Sequence, residues 1–156
     1  AAVDHVAAVV EGERASALVT YDAGGVYGHP DHIHAHRVGA GAAVALGLPT
    51  WYEVTVDREY LHFVDTHVAA EAGASLPRPR PIGLTTVEIS TVVDVRDVLA
   101  RKHAAIAAHE SQVGADATFG SGAGFVEVYG WEWYVRHGAP GPIDALVERA
   151  RSVRSG

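Results

Sequence analysis

Residues 21–37 read Tyr-Asp-Ala-Gly-Gly-Val-Tyr-Gly-His-Pro-Asp-His-Ile-His-Ala-His-Arg. Four of the ten histidines of the chain fall between His29 and His36. The run before this stretch, Ala15–Tyr21, is short, apolar and bounded by polar and glycine-containing segments, which is the signature of a buried strand. Residues 22–30 are glycine-rich and read as a loop. Asp31 then caps a predicted helix that runs to about Leu46, where Gly47 and Pro49 end it. Trp51–Val56, β-branched and aromatic, is a second predicted strand.

The pattern extends in both directions. Val3, Val6 and Val10 have helical spacing in an alanine-rich run that ends near Gly12. Tyr60, Phe63, Val64 and His67 give residues 57–72 a helical reading. Residues 73–83 form a proline-rich connector. Residues 84–93 predict a strand, and a helix starting at Asp94 or Asp97 continues to about Gln112. Residues 113–124 form a glycine-rich loop, residues 125–135 alternate as a strand does, and Pro142 opens a last helix to about Val153. Helix, strand, loop, helix, strand is α/β grammar with strands expected to be parallel. In open α/β sheets ligands sit at the carboxyl ends of strands. The histidine cluster lies directly after such an end.

Composition narrows the function. At 156 residues the chain is one domain or part of one. A hydrophobic share of 48% and a charged share of 20% are ordinary for a folded protein. A net charge of −7 supplies no basic field for nucleic acid. Cysteine is absent, which excludes disulfides, thiolate nucleophiles and cysteine zinc sites and leaves His and carboxylates as the strong metal ligands. No apolar run is long enough to span a bilayer and no signal peptide is visible, so a cytoplasmic location is expected. The chain starts at Ala1, in a helix-like run and with no methionine anywhere, and is read as a piece of a longer product.

The chemistry concentrates at 27–36. His32 and His36 are four residues apart and share a helix face, whereas His34 points away and is expected to be exposed. His29 and Asp31 stand at the helix N-terminus, where backbone N–H groups and the helix dipole favour an anion. A carboxylate two residues from a histidine can fix its tautomer, and imidazole is a good zinc ligand. Together they point to a metal-assisted hydrolytic site. A solvated histidine surface, or Pro-Asp serving only as a helix cap, are the simpler alternatives. His36 is expected in a supporting position.

The stretch resembles the second signature of the PIG-L/LmbE-like family of zinc-dependent N-deacetylases, which includes N-acetylglucosaminyl-phosphatidylinositol de-N-acetylases and mycothiol-pathway deacetylases. Residues 91–99, Thr-Val-Val-Asp-Val-Arg-Asp-Val-Leu, and 102–112, Lys-His-Ala-Ala-Ile-Ala-Ala-His-Glu-Ser-Gln, are similar to later segments of that family, and Glu132-Trp-Tyr to its terminal Glu-x-Phe/Tyr. The resemblance implies a Rossmann-like, mostly parallel sheet with flanking helices. It also implies that His32 is a zinc ligand, that His29 stabilises the tetrahedral intermediate or protonates the leaving amine, that Asp31 holds His29, and that Tyr27 polarises the scissile carbonyl. It lends Ser111 and Gln112 a structural or substrate-facing role.

The family's first signature, His-Pro-Asp-Asp-Glu after a strand, carries two further zinc ligands and the general base, and this sequence lacks it. Catalytic zinc takes three protein ligands. Residues 1–156 are therefore expected to form a single incomplete α/β domain without its first strands, leaving an apolar sheet edge. The expected function is removal of an acetyl group from an N-acetylglucosamine-type small molecule, with one Zn(2+) or another divalent metal per complete site. The alternative is an inactive or sugar- or protein-binding member of the family. Two other motifs carry nothing. Phe119 breaks the Gly-x-Ser-x-Gly spacing around Gly120–Gly124, and His109-Glu-Ser-Gln is not His-Glu-x-x-His.

Overall fold

Alternation of apolar runs with glycine-bounded loops produces four strands and seven α-helical segments among the described residues. The computed structural model describes residues 1–64, 66, 82–109 and 123–154. In chain order these are α1 (Ala2–Gly12), β1 (Leu18–Tyr21), α2 (Gly25–Gly28, one irregular turn), α3 (Pro30–Ala45), β2 (Thr50–Thr55), α4 (Arg58–Phe63), β3 (Thr91–Asp94), α5 (Leu99–Ala107), α6 (Ala123–Tyr129), β4 (Trp131–Gly138) and α7 (Pro142–Arg154). The strands form one sheet in the order β1-β2-β4-β3. Residues 73–81 of the proline-rich connector and residues 113–122 of the loop before α6 lie outside the described residues, as do Ser111 and Gln112.

The fold class is α/β as expected, and the sheet is mixed. β1 and β2 are parallel, pairing Leu18 with Trp51 and Tyr21 with Val54. β4 runs antiparallel to both its neighbours, with Thr50 opposite Gly138 and Thr91 opposite Tyr134. Period-2 alternation fixes which side chains share a face but carries no direction. Direction depends on where the preceding helix delivers the chain.

Helix α3 lies against β1 because small residues let it. A Cβ at Gly39 would stand 2.7 Å from the Thr20 side chain, and the Thr20 hydroxyl donates to the Ala35 carbonyl at 3.0 Å. Gly41 gives α1 similar room, since a Cβ there would meet Val3 at 3.1 Å. His36 reaches from α3 to the end of β1, its Nδ1 donating to the Tyr21 carbonyl at 3.0 Å. The same nitrogen is 3.4 Å from Glu53, which His137 approaches from the β4 side at 3.3 Å. Along the outer edge of β1 runs a groove of about 920 Å³ lined by Val6, Leu18, Val19, Ala35 and Val38. Val19 is half exposed there, so the expected apolar edge is present.

Two predicted strands begin in a helical turn instead. Residues 84–93 begin as a single 3₁₀ turn at Thr86–Glu88. The Thr85 N–H and hydroxyl both donate to Glu88, and the Thr86 hydroxyl donates to Asp57 and Glu59. Short polar side chains thus take the backbone out of the ladder until Thr91. Residues 125–129 belong to helix α6, and the strand starts only at Trp131. Gly130 makes the switch: its N–H closes the helix on Val126 at 2.8 Å, and a Cβ there would lie 2.4 Å from the Val126 carbonyl.

Helix α7 is fastened to the other face of the sheet by one carboxylate. Asp144 accepts from the Tyr52 hydroxyl, the Thr91 hydroxyl, the Arg136 guanidinium and the Gly141 N–H, each at 2.8 Å. Tyr52 is fully buried. Burial pushes the Asp144 carboxyl up, but the donors from Gly141, Tyr52, Thr91 and Arg136 outweigh it and hold it well below the usual carboxylate range. Asp144→Ala is expected to lower the unfolding free energy by about 2–4 kcal/mol in urea titrations, because the donors lose the carboxylate they share. A carboxyl depressed in the folded state adds stability above its unfolded pKa of about 4 and loses it as the pH falls further. The stability gap between the wild type and Asp144→Asn is therefore expected to be largest near neutral pH and to shrink in urea melts below about pH 4.

Candidate active site

The site begins where β1 ends. The Asp22 N–H still donates to Val54 of β2 at 3.0 Å, continuing the ladder one residue beyond the strand. The chain then turns. The Gly25 N–H returns to the Asp22 carbonyl at 2.9 Å, and the Val26 N–H donates to Asp22 Oδ1 at 2.9 Å. The other carboxylate oxygen, Oδ2, accepts from the Thr55 hydroxyl at 2.5 Å. Asp22 is 2% exposed.

This turn contains the principal backbone irregularity of the described residues. Val26 has φ 64° and ψ −57°, and Tyr27 has φ −129° and ψ 20°. A β-branched residue with positive φ is a genuine outlier, costing about 1–3 kcal/mol and persisting only where its surroundings enforce it. The enforcing contacts are visible on both sides of Val26. Its N–H is held by Asp22, and its carbonyl accepts from the Gly83 N–H at 2.7 Å. Gly83 itself has φ +65°, and a Cβ on it would sit 2.1 Å from the Val56 carbonyl. Arg58 secures the Gly83 carbonyl through Nη2 at 2.6 Å.

His29 is the cap of α3, in place of Asp31. Its Nδ1 accepts from the Asp31 N–H at 3.1 Å. Pro30 at the first helical position needs no such partner, and this puts the cap one residue before the proline. Asp31 lies in the first turn with its side chain 91% exposed and 4.0 Å from His29 Nδ1. His32 is gripped more firmly. Its ring stacks on Tyr21 at 3.8 Å and 3°, and its Nδ1 is 3.3 Å from the Gly25 carbonyl. A carbonyl only accepts, so Nδ1 carries the proton and Nε2 the lone pair. Gly25 must be glycine for this approach, because a Cβ would meet the His32 Cβ at 3.0 Å and Ile33 at 2.9 Å.

The structure brings the four expected residues to one place. Tyr27 meets His32 edge-on at 5.2 Å and His29 at 6.0 Å, and the two imidazoles are 4.8 Å apart. Tyr27 is half exposed. Donors and a lone-pair nitrogen thus converge on an accessible surface at a helix N-terminus. His34 is exposed, as its position on the helix predicts. Asp22, Thr55, Tyr21 and Gly83 were not singled out by sequence. Asp22 and Tyr21 stand inside the quoted motif, but nothing in residue type alone distinguishes a buried loop carboxylate from a solvated one.

His32 fits a zinc ion as a single ligand: its backbone-bonded Nδ1 leaves Nε2 in the form a metal requires. Among the described residues no group of three His, Asp or Glu side chains is arranged to hold a metal ion. The later segments that resemble the family meet each other. Lys102 Nζ lies 3.1 Å from Glu132 and donates to the Tyr129 carbonyl at 3.0 Å, while the Tyr134 hydroxyl donates to Glu132 at 2.6 Å. Burial pushes the Glu132 carboxyl up, but Tyr134 and Lys102 overcome it and leave it lowered. This pair ties α5 to β4. No helix of the described residues is long and apolar enough to cross a membrane.

No family model matches the chain. Curated proteins do. The chain is 39% identical over 122 residues to a 1D-myo-inositol 2-acetamido-2-deoxy-alpha-D-glucopyranoside deacetylase of Rhodococcus opacus, covering 69% of this chain and 42% of the relative. It is 36% identical over 157 residues to the protein of that description in Thermobispora bispora, covering 86% and 50%. With its counterpart in Mycobacterium sp. (strain KMS) it is 35% identical over 150 residues, covering 90% and 49%. The chain thus spans about half the length of the curated relatives it matches. Kinship on this scale, with the motif at 21–37, places the chain in the PIG-L/LmbE-like family of deacetylases.

Proposed function

We propose that the chain is the C-terminal part of a zinc-dependent N-deacetylase acting on an N-acetylglucosaminyl-inositol type of substrate, and that it supplies the oxyanion and leaving-group side of the active site. The observation that carries this reading is the convergence of Tyr27, His29 and His32 within 6.0 Å on one helix N-terminus. Relatives described as deacetylases of an acetamido sugar joined to inositol support the substrate class.

Each side chain then has a role set by its geometry. The Tyr27 hydroxyl donates to the acetyl carbonyl oxygen and strengthens that bond as negative charge develops there. His29, whose Nδ1 is occupied by the Asp31 N–H, presents Nε2 to the same oxygen or to the departing amine nitrogen, which needs a proton to leave. The positive end of α3 lies behind both and favours the same charge. Asp31 holds His29 through its backbone N–H, while its carboxylate stays exposed 4.0 Å away. His32 contributes Nε2 as one metal ligand, with the others and the general base outside the described residues. Zinc, when bound, supplies Lewis acidity to the attacking water and the carbonyl.

A second reading is a sugar-binding relative without hydrolytic activity, favoured by the lack of a three-residue metal group among the described residues. Zinc calorimetry and acetate release separate the two. The natural polypeptide that carries this chain is expected to bind zinc one-to-one and to release acetate from N-acetylglucosaminyl-inositol. His32→Ala is expected to lower kcat/KM by about 10³-fold or more together with loss of the metal. Tyr27→Phe is expected to lower kcat by about 10²-fold with the metal retained. Full activity in His32→Ala would exclude the ligand role, and sugar binding without acetate release would favour the second reading. Residues 1–156 alone, with His32 as the one ligand assigned among the described residues, are expected to show no tight zinc binding.

A further inference from the structure

We infer that Asp22 is the positioning residue of this site: its buried carboxylate decides where Tyr27 and His29 point by holding Val26 in a left-handed backbone conformation. The catalytic consequence rests on the deacetylase reading; the positioning itself does not.

A carboxylate that only capped a turn would need one oxygen, bonded locally. Asp22 uses both, and they face different elements. Oδ1 takes the Val26 N–H of the loop, and Oδ2 takes the hydroxyl of Thr55, the last residue of β2. The loop is therefore referenced to the sheet through a single side chain. Among the described residues its partners are uncharged N–H and O–H groups. The carboxylate is spent on holding these donors, and among the described residues no cation draws it elsewhere.

What it aims is strained. Valine at φ 64° returns to negative φ when nothing opposes it. Asp22 grips the peptide before Val26 and Gly83 the peptide after it, while Arg58 holds Gly83 in turn. Releasing the Asp22 grip lets Val26 rotate. That rotation turns the peptide leading to Tyr27 and displaces the arm that ends in the His29 cap. The far wall of the site is held from the strand side, where His32 stacks on Tyr21, and it meets the loop where its Nδ1 reaches the Gly25 carbonyl. Release of Asp22 thus changes the spacing between the Tyr27–His29 arm and His32. Asp22 touches no reacting atom in this arrangement and acts only through Val26.

Glycine at position 26 separates this role from a general need for a buried acceptor, because glycine adopts φ +64° without strain. The test uses the chain with Asp22→Ala, Asp22→Asn and Asp22→Ala combined with Val26→Gly. Its readouts are the His29 and His32 ring resonances in ¹H–¹³C NMR and the amide exchange rate of Gly83. Asp22→Ala is expected to shift both rings, since Tyr27 stands edge-on to them, and to speed Gly83 exchange by about tenfold or more while unfolding stays cooperative. Asp22→Asn, which keeps an acceptor for Val26, is expected to stay close to the wild type. Adding Val26→Gly to Asp22→Ala is expected to recover at least about half of each change. In the natural polypeptide Asp22→Ala is expected to lower kcat by about 10-fold to 100-fold with KM nearly unchanged. Unmoved ring resonances and Gly83 exchange in Asp22→Ala would overturn the inference. So would global unfolding that Val26→Gly does not relieve, since that marks a purely structural residue. If the wild type releases no acetate, only the deacetylase reading fails, and the NMR comparison still decides the role of Asp22.

Discussion

The junction between strand β1 and helix α3 is governed by the carboxylate of Asp22, enclosed between the loop it begins and the end of β2. Eight residues separate Tyr21 from Pro30, and in that length the chain must leave the sheet, reverse and enter a helix. Hydrogen bonds to Asp22 set the first half of this path, and the His29 cap sets the second. Everything chemically active lies between or immediately beside these two fixtures. A site held this way has side chains oriented before any ligand arrives, which is what stabilising a developing charge requires.

The sheet supplies the rigid frame for that junction, and its two faces are secured differently. On one face α3 approaches β1 through Gly39 and the Thr20 hydroxyl, a contact with little side-chain bulk. On the other face α7 is secured by polar bonds to Asp144 from three strands. The first arrangement brings the N-terminus of α3 close to the strand ends, where the imidazoles are needed. The second fixes β2, β3 and β4 relative to one another, and hence fixes Thr55, the sheet residue on which Asp22 bears.

Much of this was legible in the residues. The strand before the histidines, the helix after them and the exposure of His34 follow from apolar spacing, and the clustering of Tyr27, His29, Asp31 and His32 follows from their closeness in sequence. The readings that failed did so where polar side chains or glycine competed with a local pattern. Residues 84–90 have the β-branched content of a strand, but Thr85, Thr86 and Glu88 close a 3₁₀ turn on their own bonds. Residues 125–129 alternate like a strand and fold as a helix that Gly130 ends. The cap of α3 falls on His29 because Pro30, which lacks an N–H, takes the first helical position, a detail that residue preference for Asp at caps obscures.

Sequence alone determined the chemical inventory: imidazoles, a phenol and carboxylates at one strand-to-helix junction, no thiols, and a period of apolar residues that commits the chain to an α/β fold. These are properties of neighbours along the chain, and local spacing records them. Tertiary structure alone decided the direction of β4, the pairing of Lys102 with Glu132, and the hold of Asp22, Thr55, Gly83 and Arg58 on Val26. Each of these joins residues tens of positions apart, except Asp22 and Val26, whose bond matters because Gly83 closes the other side. A left-handed valine has no local cause. It exists because Asp22, held by Thr55 of β2, takes its N–H while the Gly83 N–H of the loop at 82–84 takes its carbonyl, so that both peptides beside it are bonded in the strained conformation.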